Sequence, residues 1–128
     1  MNQVALVGNL TEDPTLRYTQ SGKAVANLTV AVSHRSKSKG QWQDITDGFF
    51  SVTAWNGLAN NVAESLKKGA RVVVTGKLIQ RSWQTEDGNK RHSVEIQASN
   101  VAADLQFATV QITKPSADAS PVPAETTG

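Results

Sequence analysis

Phe49-Phe50-Ser51-Val52-Thr53-Ala54-Trp55, followed further on by Arg71-Val72-Val73-Val74-Thr75-Gly76-Lys77-Leu78-Ile79-Gln80-Arg81-Ser82-Trp83, are the most informative segments of this chain. Side chains of a β-strand alternate between two faces. In the first segment that alternation puts Phe50, Val52 and Ala54 on an apolar face and Phe49, Ser51, Thr53 and Trp55 on the other. In the second it puts Val72, Val74 and Leu78 on one side and Lys77, Arg81 and Trp83 on the other. Soluble proteins seldom leave apolar rings on a polar strand face without a use for them. Flat rings beside Lys and Arg suit stacked bases and a phosphate backbone. The pattern points to single-stranded nucleic acid.

Working outward, Val4 to Leu10 is a short apolar run closed by the turn-rich Thr11-Glu12-Asp13-Pro14, and it reads as a first strand. After the turn Gln20-Ser21-Gly22-Lys23, residues Ala24 to Ser33 alternate with one clearly apolar face. Residues 34–44 are polar and basic around Gly40 and predict a long loop or flexible hairpin tip. The third strand spans about Ile45 to Trp55, and Asn56-Gly57 breaks its period. Leu58, Val62 and Leu66, with Ala59 and Ala63, share a face at helical spacing. Lys67 and Lys68 are expected in the last turn of that helix, complementing its dipole, with Gly69 as the stop. A fourth strand, Arg71 to Trp83, and a fifth, about Arg91 to Val101, are joined by the hairpin turn Thr85-Glu86-Asp87-Gly88-Asn89-Lys90.

Three strands, a helix and two more strands is the order of the OB-fold, an all-β, five-stranded, partly open Greek-key barrel. One domain over residues 1–113 is expected, with the β-prone stretch 105–113 as a candidate further strand able to clamp subunits together. Residues 114–128, rich in Pro, Ala, Ser and Thr, are expected as a disordered tail. No internal repeat is visible.

Composition narrows the function classes. The formal net charge is only +2, but residues 1–113 hold twelve of the thirteen Lys and Arg against nine of the eleven acids. Several bases cluster in His34-Arg35-Ser36-Lys37-Ser38-Lys39, a run that serves equally well as a solvated loop. There are no cysteines, which excludes disulfides and thiolate chemistry, and only two histidines, which argues against a zinc site. Neither a signal-peptide layout nor a membrane-length apolar run is present, so a cytoplasmic protein without membrane contact is expected. A nuclease would need clustered carboxylates, yet Glu12-Asp13 and Glu86-Asp87 sit in turns where acids are ordinary. His34 and His92 have no visible partner for acid–base work. No catalytic residue, metal or cofactor is therefore expected. The remaining rival is a protein-interaction OB module, such as a primosome accessory protein, with its aromatics buried at subunit interfaces.

Val4-Ala5-Leu6-Val7-Gly8-Asn9-Leu10, Asp13-Pro14 and Leu16-Arg17-Tyr18 resemble the opening of the bacterial single-stranded-DNA-binding proteins. The run Gly22 to Val32, Leu66-Lys67-Lys68-Gly69 and Val72 to Leu78 resemble that family's second strand, helix end and fourth strand. The likeness covers roughly residues 1–105 in order. It implies an OB domain assembled as a homotetramer that binds single-stranded DNA without sequence preference in replication, recombination and repair, at the nucleoid. By the resemblance, Phe49, Trp55 and Trp83 fall on the stacking aromatics, and Arg81 on a basic contact just before the last of them. Lys68, Arg35 and Lys37 fall close to other basic contacts, and Lys77 shares the Arg81 face. A further stacking tryptophan of the family falls near Ser36 and is absent, with Trp42 a few residues on as a substitute or a loop anchor. Phe50 is expected in the core or an interface, and Tyr18 packed across the barrel. Long-tailed members end in an acidic tip that recruits replication and repair proteins. Here the last fifteen residues carry only Asp118 and Glu125 as acids and finish Thr126-Thr127-Gly128, so recruitment of that kind is not expected. The chain fits a short-tailed paralogue or one whose natural end lies further on.

Overall fold

A computed structural model describes residues 2–115. The chain runs β1 (Gln3–Leu10), β2 (Thr15–Tyr18), β3 (Ala24–Ser38), β4 (Gln41–Trp55), α1 (Gly57–Ser65), β5 (Arg71–Gln84) and β6 (Lys90–Ala103). The strands lie in the order β1-β5-β6-β4-β3-β2, and β1 also pairs with β3, so five of them close a ring. With the helix between the third and fourth strands of that ring, this is the OB-fold. Two seams of the ring are short. β1 meets β3 only through Asn9↔Ala31 and Leu10↔Val30, and β4 meets β6, in parallel, only from Ser51↔Glu95 to Thr53↔Gln97. At the first seam Gly8 leaves no room for a side chain, because a Cβ there would overlap the Ala31 carbonyl and the Val30 side chain.

The interior is aliphatic. Leu28, Val30, Val52, Val72, Val74 and Ile96 point inward from β3 to β6 and are buried, each contributing about 1.5–3 kcal/mol. Phe50 packs against this core, as its strand face implies. Helix α1 closes one end of the barrel with Ala59 and Val62 buried against β3 and β4.

The structure refines the sequence reading at four places. Thr15–Tyr18 forms a short extra strand on the outside of β3, from Thr15↔Asn27 to Tyr18↔Ala24. The helix ends at Ser65, because Leu66 is already extended while its N–H still bonds to the Val62 carbonyl. Lys67 and Lys68 therefore lie in the loop to β5, outside the helix. Residues 34–44 form the hairpin tip and not the long loop: β3 and β4 stay paired out to Ser38↔Gln41, turning at Lys39 and Gly40, both with positive φ (53° and 78°). That is the turn that matches the twist of a two-stranded ribbon. The ribbon is wet on both faces, so its sequence carries no apolar alternation to announce it. Residues 107–113, finally, form no strand within this chain. β6 stops at Ala103, where the Asp104 N–H bonds to the Arg71 carbonyl and the Asp104 carboxylate accepts from Arg71 Nε at 2.8 Å. The Arg71 guanidinium then lies 5.7 Å from the Phe107 ring. The tail expected from residue 114 lies outside the described residues from 116 onward.

Candidate nucleic-acid interface

The outer face of β3 carries Val25, Asn27 and Thr29, and their register partners on β4 are Trp55, Thr53 and Ser51. The neighbouring strand β6 adds Glu95 and Ser93 to that face, since Ile96 between β6 neighbours points into the core. β5 continues it, with Arg81 opposite Ser93 and Trp83 opposite Arg91. On the other side β2 places Arg17 opposite Val25. A polar groove of about 390 Å³ runs across these strands, lined by Arg17, Asn27, Ser51, Thr53, Trp55, Arg81, Ser93 and Glu95. Val25 is apolar and outward-facing, yet fully buried, flanked in register by Arg17 and Trp55. Trp55 thus has a packed flank and remains half-buried in the groove wall.

The other two strand aromatics are more open. Phe49 is 67% exposed opposite Ala31, and Trp83 is 50% exposed on the β5–β6 hairpin, two residues beyond Arg81. Lys77 is exposed on the same face of β5, opposite Gln97. The hairpin turn is firm: the Asp87 carboxylate accepts from the Thr85 hydroxyl and the Asn89 N–H, and the first of these mainly holds its pKa below the ordinary value.

A bulge decides what the ribbon does. Val32 faces Gly48, but Ser33 faces Thr46, so Asp47 is an extra residue on β4. His34 Nδ1 lies 2.8 Å from Asp47 Oδ1 and ties the bulge down. Beyond it the parity of β4 is reversed. Trp42 and Asp44, even-numbered, lie on the same face as the odd-numbered Phe49 and Ser51. Trp42 stands opposite Lys37, and Asp44 opposite Arg35. The Arg35 guanidinium and the Lys37 ammonium lie 5.8 and 5.9 Å from the Trp42 ring centroid, within cation–π reach. Arg35, Lys37 and Trp42 therefore extend the barrel face as one basic, aromatic arm, with Trp42 59% exposed.

Lys68 stands apart from this face. Its backbone N–H bonds to Asp13 Oδ1 at 2.8 Å, which fixes it in the loop between α1 and β5, away from the groove lining. Tyr18 does not pack across the barrel; it is exposed, with its hydroxyl 3.4 Å from Asn60 Oδ1. Arg17, Asn27, Ser93 and Glu95 are groove residues that the sequence reading did not anticipate. Arg17 makes no salt bridge among the described residues. The signal for it was the four-residue alternation Thr15-Leu16-Arg17-Tyr18 between the Asp13-Pro14 and Ser21-Gly22 turns, short enough to pass for loop.

A family model described as "Single-strand binding protein family" matches residues 1–104. A protein of Mycobacterium tuberculosis (strain ATCC 25618 / H37Rv) named "Single-stranded DNA-binding protein" is 43% identical over 131 residues, covering 96% of this chain and 80% of the relative. A protein of the same name from Mycobacterium leprae is 46% identical over 115 residues, covering 88% of this chain and 68% of the relative. Another from Corynebacterium glutamicum is 46% identical over 111 residues, covering 85% of this chain but 49% of the relative.

Proposed function

The chain belongs to the single-strand binding protein family, and from that membership we propose that it binds single-stranded DNA without sequence preference, protecting it during replication, recombination and repair. The observation that carries this reading is one continuous face on which Phe49, Trp55, Trp83 and Trp42 alternate with Arg17, Arg35, Lys37, Lys77 and Arg81. Each stacked base contributes roughly 1–3 kcal/mol, and every base has a π-face, so tolerance of sequence follows from the chemistry. The cations neutralise phosphates and release counterions, which makes affinity fall as salt rises. Duplex DNA is rejected because its bases are already stacked on one another. The protein is not an enzyme; its family binds the strand and leaves it chemically unchanged.

The same reading has the protein working as a homotetramer at the nucleoid, in the cytoplasm. Supporting self-association, Val7 on β1 and Leu105, Phe107, Val110 and Ile112 after β6 are exposed apolar side chains in the single chain. No recruiting role is proposed for Asp118 and Glu125, which lie outside the described residues.

The test is a tryptophan-fluorescence titration with oligo(dT) and with matched duplex, at low and high salt. Strong quenching by oligo(dT) alone, weakening with salt, is expected. Equal quenching by duplex, or none by either ligand, would overturn the reading and favour an OB module that binds protein.

A further inference from the structure

The groove contains one acid, and its presence in a phosphate-binding face needs a reason. Glu95 lies on β6 with its side chain only 13% exposed, while Arg81, the cation it contacts, is 60% exposed. The two are diagonal neighbours across the β5–β6 pair, since Glu95 faces Ile79 and Arg81 faces Ser93. A long side chain spans that diagonal. The contact joins Glu95 Oε1 to Arg81 Nε. Among the described residues no hydrogen bond takes the two Nη amines of Arg81, so the outer edge of the guanidinium fork stays open.

We propose that Glu95 is a positioning residue for DNA binding: it holds Arg81 by Nε so that the Nη pair faces a phosphate in the groove. This rests on the single-stranded-DNA reading above. A guanidinium presents its donors in a rigid planar fork, and fixing one edge orients the other. An unrestrained arginine must give up its rotamer freedom when the strand binds, at a cost of about 0.5–1.5 kcal/mol. Glu95 places that ordering in the folded protein. The imbalance in exposure fits this division of labour, with a carboxylate seated in the groove floor and a guanidinium reaching outward. The same pairing lets Glu95 sit in the groove without presenting an uncompensated negative charge to the strand.

Four variants test it by oligo(dT) titration at fixed salt. Glu95→Thr suits a strand but cannot hold Nε, and it should weaken binding about two- to tenfold. Glu95→Gln keeps an oxygen acceptor for Nε and should stay within about twofold of the wild type. Arg81→Gln should weaken binding, and adding Glu95→Thr to it should change nothing further, because the effect passes through Arg81. Should Glu95→Thr fail to give the wild-type melting profile, Glu95→Val takes its place under the same criterion. An NMR readout stands beside the affinities: the Arg81 Nε–H signal of the free protein should be rigid in wild type and Glu95→Gln, and motionally averaged in Glu95→Thr. Wild-type affinity in Glu95→Thr would overturn the proposal. So would clearly tighter binding by Glu95→Gln, which would make the carboxylate an opponent of the strand, or an undiminished Glu95→Thr effect without Arg81. If the wild-type protein does not bind oligo(dT) at all, the functional reading itself fails, and the inference with it.

Discussion

Trp55 and Trp83 share a strand-face role but differ in how the fold holds them. Trp55 flanks the buried Val25 in the groove wall, whereas Trp83 stands half free on its hairpin. Trp55→Ala and Trp83→Ala should each weaken oligo(dT) binding by roughly 1–3 kcal/mol, as titration would report. Their melting temperatures should separate, with Trp83→Ala near wild type and Trp55→Ala lower, because only Trp55 covers core-like surface. Unchanged affinity in both would remove the stacking assignment. Gly8 carries a purely structural load at the β1–β3 seam. Gly8→Ala sets a methyl group against the Ala31 carbonyl and should cost about 1–3 kcal/mol in a urea unfolding curve.

Among the elements, the β3–β4 ribbon depends on one extra residue. Inserting one residue between Val32 and Ser33 gives Asp47 a partner, removes the bulge, restores strict alternation, and should turn Trp42 to the opposite face. In a protein carrying Trp55→Phe and Trp83→Phe, so that Trp42 is the one tryptophan left, oligo(dT) quenching should then disappear. Quenching that survives the insertion would show that the ribbon face is not set by this bulge. At the end of β6, Asp104 closes the strand through Arg71. The Arg71 hydrogen bond, helped by the Gln106 N–H, holds the Asp104 carboxyl below its ordinary 3.8. A carboxyl that titrates lower when folded adds stability that is complete above the unfolded value and is lost as pH falls through the folded one. Acid melting of the wild type should therefore show an extra loss of stability below about pH 4 that Asp104→Asn lacks, with the variant less stable at neutral pH.

For the whole molecule, the unsettled surface is the stretch after β6. Phe107 and Ile112 are 77% and 85% exposed in the single chain, although Arg71 is already stacked on the Phe107 ring. Exposed apolar side chains in such a run fit burial against a further copy of the chain. Deleting residues 107–113 should lower the assembly state measured by native mass spectrometry and reduce the melting temperature. An unchanged oligomer and melting point would leave that stretch without a clamping role.

Much of the protein was legible in its order of residues, for local reasons. Two-residue alternation in Ala24–Ser33, Ile45–Trp55 and Arg71–Trp83 set both the core valines and the outward Phe49, Trp55, Arg81 and Trp83, because each strand has one dry face and one wet one. The Asp87-Gly88 turn was equally plain, since its side-chain hydrogen bonds are internal to five residues. The fold alone decided the rest. Closure of the ring joins residues far apart in sequence, through a parallel β4–β6 seam that no local pattern encodes. That closure is what brings Arg17 from β2, Trp55 from β4, and Arg81 with Glu95 from β5 and β6 into one groove. Trp42 shows the same limit most sharply. Counting residues puts it opposite Phe49, and only the register with β3, where Asp47 has no partner, returns it to the same face.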